Sequence, residues 1–122
     1  MATDFQEKLF ALGACDERRA AFAASAYVLP GRENGLVALA VNGGTLNIYD
    51  VLKNEPTDLL YSVELSKVTD LKVETRFPKV LFTGGLISFR YNGALFEFRN
   101  VGRLGREAGI IKQEAEKGGK LQ

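Results

Sequence analysis

Leu86-Ile-Ser-Phe-Arg-Tyr91, Asn92-Gly93, Ala94-Leu-Phe-Glu-Phe-Arg99 is the stretch that decides the fold. Two alternating arms flank an Asn-Gly pair, which supplies the φ > 0 positions of a tight β-hairpin turn. Ile87, Phe89 and Tyr91 share one face of the first arm, and Phe96 and Phe98 share a face of the second. Asn100 then stands as an N-cap. Leu104, Ala108, Ile111 and Ala115 recur at helical spacing, with Ile110 widening the stripe. The spacing predicts an amphipathic helix to about Lys117, ended by Gly118-Gly119.

Upstream, Gly35-Leu-Val-Ala-Leu-Ala-Val41 and Thr45-Leu-Asn-Ile-Tyr-Asp-Val51 flank Asn42-Gly43-Gly44 as a second hairpin. The first arm is apolar on both faces, so it is expected to be covered on both. In the second, Leu46 and Ile48 oppose Asn47 and Tyr49. Lys53-Asn-Glu-Pro-Thr-Asp58 reads as a polar loop and Leu59–Leu65 as a strand. From Val68 to Phe77, Leu71, Val73 and Thr75 alternate with Asp70, Lys72, Glu74 and Arg76, a half-buried strand with a charged outer face. Pro78 interrupts it, and residues 78–85 read as a connection carrying apolar anchors. Residues 16–29 mix two signals: the alanines favour helix, while Tyr27-Val-Leu favours strand before the Pro30-Gly31 turn. A first strand is expected over about 21–29. Thr3-Asp-Phe-Gln6 fits a capping box, and Phe5, Leu9 and Leu12 line one face of a helix over 4–13, with Gly13 as its stop. That helix is expected on the domain's own core, with docking on a partner or neighbouring protomer as the rival reading.

Composition bounds the chemistry. A chain of 122 residues, 46% apolar and 25% charged, is one domain with room for a single core. The net charge of +1 supplies no global field toward nucleic acid or anionic membrane. The absence of histidine removes the usual general base near neutral pH, the commonest metal ligand and every Ser-His or Cys-His dyad. Cys15 is the single cysteine, so it forms no internal disulfide and builds no zinc site without histidine; it reads as a small buried or linker residue. No secretory leader or membrane-length apolar run is evident, so a cytoplasmic protein is expected. No catalytic residue, metal site or cofactor is expected, and the fold class is mainly β (α+β).

Seven short strands followed by one helix suggest a bent antiparallel barrel or sandwich, its open end plugged by the amphipathic helix. In this order the chain resembles a bacterial pleckstrin-homology-like (PH-like) domain. The Asn42-Gly43-Gly44 hairpin, the Leu65–Val73 stretch and the Ser88–Phe98 hairpin before the helix carry the resemblance, which covers roughly Ala21 to Glu116. The expected organisation is an N-terminal helix and linker over 1–19, a PH-like domain over 20–117 and a loose tail over 118–122. The resemblance implies a binding or scaffolding module, often oligomeric, rather than an enzyme. Phosphoinositide-binding members carry spaced Lys and Arg on the first two strands and the loop between them. Here that region, Tyr27–Val41, offers Arg32 beside Glu33, whereas a polyphosphate needs several converging donors.

Three basic groups invite an anion. Arg18, Arg19 and Arg32 lie among acids and read as a self-neutralised surface; Lys67, Lys72, Arg76 and Lys79 are interleaved with Asp70 and Glu74. Arg90, Arg99, Arg103 and Arg106 are denser and form the candidate ligand-binding set. The leading expectation is a non-catalytic module for protein–protein or self-association, as a homo-oligomer. The alternative is a peripheral anionic-lipid or phosphate binder that uses the arginine set. The two differ in salt sensitivity.

Overall fold

The computed structural model describes residues 4–17, 19–33, 35–53, 55–74, 85–101 and 108–119. Its elements in chain order are α1 (Asp4–Ala11), β1 (Ala21–Ala24), β2 (Ala26–Leu29), β3 (Arg32–Glu33), β4 (Val37–Asn42), β5 (Thr45–Leu52), β6 (Glu55–Glu64), a 3-10 turn (Leu65–Lys67), β7 (Thr69–Glu74), β8 (Gly85–Tyr91), β9 (Ala94–Val101) and α2 (Ala108–Gly119). The strands form two antiparallel sheets, β1-β4-β5-β6 and β3-β2-β9-β8-β7. The fold is therefore mainly β and sandwich-like, and among the described residues neither sheet closes on itself. The chain changes sheets three times: at Ser25, between β1 and β2, again between β3 and β4, and at the 3-10 turn.

The core lies between the sheets. Phe22, Leu39, Leu46, Ile48 and Val63 enter it from one side and Ile87, Phe89, Phe96 and Phe98 from the other, all buried. Burial of each such side chain contributes about 1.5–3 kcal/mol. Phe89 and Phe96 stack at 5.2 Å, and Tyr61 meets Phe96 edge-on at 5.1 Å, joining β6 to β9 across the layers. Ile111 of α2 enters the same cluster.

The expected double cover of β4 is real. Val37, Leu39 and Val41 face the sandwich core. Ala38 and Ala40 face a second cluster with Leu9, Ala14, Cys15, Ala21 and Val51, against which Phe5 and Tyr49 pack. α1 and the segment after it thus cover the outer face of the first sheet. Small side chains let a helix approach closely, which suits Ala21, Ala38 and Ala40 on that face, while Ala24 belongs to the sandwich core. Ala21 pairs with Ala40 and Ala23 with Ala38, so strand pairing overrides their helix propensity.

Four expectations need correction. The first strand is divided at Ser25, and Arg32–Glu33 add a two-residue strand, so the described residues hold nine strand segments where seven were expected. Residues 55–58 are strand rather than loop: Lys53 adopts φ 54, Leu52 pairs with Glu55, and register shifts on either side of Tyr49 absorb the irregular stretch around edge-strand Pro56. Asn100 is not a helix cap, because β9 continues to Val101, which pairs with Gly85 and is buried. α1 ends at Ala11 and α2 runs through Gly119, beyond the stop expected before it. Leu104 and residues 75–84 lie outside the described residues.

Candidate interaction groove

Both helices are amphipathic, and they are held differently. α1 lies on its sheet through buried Leu9 and a set of polar ties around the segment that follows it. Asn42 Nδ2 donates to the Gly13 carbonyl at 2.9 Å, Asn47 Nδ2 to the Ala14 carbonyl at 2.8 Å, and Gln6 Nε2 to the Arg19 carbonyl at 3.2 Å. The Gly43 N–H donates to Asp16 Oδ2 at 2.9 Å. Gly43 has φ 59, as the first position of a type II′ turn demands, so that N–H is aimed outward at the strap. Lys8 pairs with Glu55 at 3.1 Å and Arg19 with Glu7 at 2.7 Å, and the Arg19 guanidinium sits over the Phe10 ring at 4.4 Å. Cys15 is 2% exposed beneath this cover. Burial pushes its thiol pKa up, Asp16 pushes it further, and Arg19 opposes them. Such a thiol is a packing residue, not an activated nucleophile.

α2 leaves an opening. It packs on the 3-10 turn and the start of β7. Leu65 is buried, and its N–H donates to the Gly44 carbonyl at 2.8 Å, tying the sheet crossing to the β4–β5 turn. Ile111 and Glu114 turn inward from α2. The adjoining helix face, Lys112, Ala115 and Glu116, borders a groove of about 330 Å³ whose other wall is Val68 and Leu71. Spacings of three and four residues put these helix side chains on one face.

The β7 wall has an irregular edge. β7 is the outermost strand of its sheet. Asp70 has φ 53, and the ladder to β8 shifts register between Thr69 and Lys72, so the strand bulges there. Past the bulge, Leu71 and Val73 pack toward the core, while Asp70 and Lys72 are exposed.

Of the arginine set, Arg90 and Arg99 lie within the described residues. Arg90 on β8 pairs with Leu95, and Arg99 on β9 pairs with Ala26. Both are exposed on the outer face of the second sheet. Leu95 and Arg99 are four residues apart, roughly 13 Å along the strand. Arg99 Nε donates to Glu97 Oε2 at 2.7 Å, so its guanidinium is already occupied by a carboxylate. Arg103 and Arg106 lie outside the described residues, as do Arg18, Arg76 and Lys79. Arg32 pairs with Asp50 at 3.6 Å and Lys67 with Glu64 at 3.4 Å.

The groove residues were not singled out in the sequence. Leu71 lies on the expected half-buried face and Ala115 on the expected helix stripe, but nothing local in the sequence says that these two segments meet. Among the described residues no cluster of three or more metal-ligating side chains occurs, and no helix is long and apolar enough to cross a membrane. Comparison with protein-family models, curated proteins and solved structures yields no match.

Proposed function

We propose that this chain is a non-catalytic, PH-like binding module that holds a protein partner in the groove between β7 and α2. The PH-like reading is supported by the order of parts: a first strand shared between two sheets, an antiparallel path through both, and a closing helix with Ile111 in the core. The observation that carries the function is the groove: half-buried Val68, Leu71 and Ala115 form an apolar floor that the rest of the described chain does not cover. Apolar floors with a few charged groups at the rim are the usual form of peptide and ligand sites. α1 packs on its own sheet, so the doubly apolar β4 is covered within the chain.

A cytoplasmic setting and a bacterial origin belong to the same proposal; the reduced, buried Cys15 fits a reducing compartment. The test is selection from a random linear peptide library, with wild-type protein and an Ala115→Trp variant that fills the groove. Enrichment by the wild type that is lost in the variant supports the module. Salt-sensitive co-sedimentation with anionic vesicles, lost on Arg90→Glu and retained in Ala115→Trp, would instead favour the lipid reading.

A further inference from the structure

The two charged residues on the groove rim are unusually disposed. Lys112 and Glu116 are four residues apart on α2, the spacing of a helical ion pair, yet neither has an ion-pair partner among the described residues. The order explains part of this: Lys placed before Glu at this spacing is the poorer orientation, because the pair geometry and the helix dipole both favour the reverse. By contrast, α1 satisfies Lys8 and Glu7 with Glu55 and Arg19. Among the described residues the groove therefore presents one cation and one anion, about 5–6 Å apart at their Cβ atoms, on the same wall of an apolar floor.

The opposite wall limits how an occupant binds. A partner strand that extended the second sheet would pair along β7, where the bulge at Asp70 and the register shift break the regular row of edge groups beside Leu71. Bulges at sheet edges disfavour added strands. The groove volume of about 330 Å³ lies at the low end of ligand sites, enough for side chains rather than a folded element.

Resting on the binding reading above, we infer that the groove takes a peptide in one direction. An apolar side chain sits on Val68, Leu71 and Ala115, with an acidic residue toward Lys112 and a basic residue toward Glu116. Recognition is by side chains and not by continuation of the sheet.

A charge-swap experiment tests this. A peptide enriched from the random library is synthesised together with a copy in which its acidic and basic residues are exchanged. Both are titrated against wild type, against the double variant Lys112→Glu with Glu116→Lys, and against Ala115→Trp. Both swapped positions are exposed, and the swap puts the pair in the order helices favour, so α2 keeps its fold; circular dichroism checks this. The exchanged peptide is expected to bind wild type roughly tenfold more weakly, and the double variant to restore it while weakening the original. Equal binding of both peptides to both proteins, still blocked by Ala115→Trp, overturns the directional inference and leaves the groove reading standing. Binding that survives Ala115→Trp overturns the groove reading itself. A leucine at position 71 exchanged for aspartate, Leu71→Asp, gives the same readout from the other wall should the tryptophan variant fail to fold.

Discussion

α1 and α2 carry similar amphipathic stripes and end in opposite situations. α1 lies on a face of alanines, with Leu9 buried and hydrogen bonds from Gln6, Asn42, Asn47 and Gly43 fastening it and its following strap. α2 inserts Ile111 into the main core but leaves Lys112, Ala115 and Glu116 beside an open floor. Burying a stripe is therefore not the same as closing a surface. The small residues of the first sheet allow close approach, and the bulged entry to β7 leaves room beside the second helix.

The comparison breaks first at the large buried side chains. Leu9→Ala and Ile111→Ala should each destabilise the fold by about 2–5 kcal/mol, read by urea denaturation. They should differ in a second readout: Leu9→Ala should speed alkylation of Cys15 by a thiol reagent, whereas Ile111→Ala should not under conditions where both remain folded. Equal acceleration in both would show that α1 has no separate hold on its face. Enlarging an alanine sharpens the contrast. Ala40→Leu, beneath α1, should cost about 1–3 kcal/mol through overpacking. Ala115→Leu, in the groove, should stay within about 0.5 kcal/mol of wild type.

Alkaline pH gives a smaller effect confined to the α1 side. The folded Cys15 thiol titrates above its ordinary value of 9.0, so the native state favours the neutral form. That contribution is complete below the ordinary value and is lost as pH rises from there through the higher folded pKa. Wild type should lose stability over that interval relative to Cys15→Ala; parallel curves would show that the burial of the thiol does not matter. Smallest of all, Arg99→Ala removes an exposed pair with Glu97 and should change stability by about 0–1 kcal/mol.

Much of this contrast was legible where local chemistry dictates geometry. Asn92 and Gly93 adopt φ 52 and 82, as their hairpin required, and the doubly apolar β4 did foretell a second covering layer. The sequence was misleading where tertiary pairing outweighs composition. Glu55-Pro-Thr-Asp58 is polar, yet it pairs with the end of β5 because an edge strand needs only one satisfied side. Asn100 has the chemistry of a cap, but buried Val101 draws it into β9. Of the candidate arginines, Arg90 and Arg99 share the outer face of the second sheet at separate register positions, and Arg99 is paired with Glu97. The groove was invisible for the reverse reason: Leu71 and Ala115 are distant in sequence, and their meeting is a property of the closed fold.

The most direct test is backbone amide NMR of the labelled chain titrated with a library-selected peptide. Shifts centred on Val68, Leu71, Lys112, Ala115 and Glu116, with Leu9, Ala38 and Ala40 unmoved, are the expected result. Shifts centred on the α1 face or on Arg90 and Arg99, with the groove silent, would contradict an open α2 side and a closed α1 side.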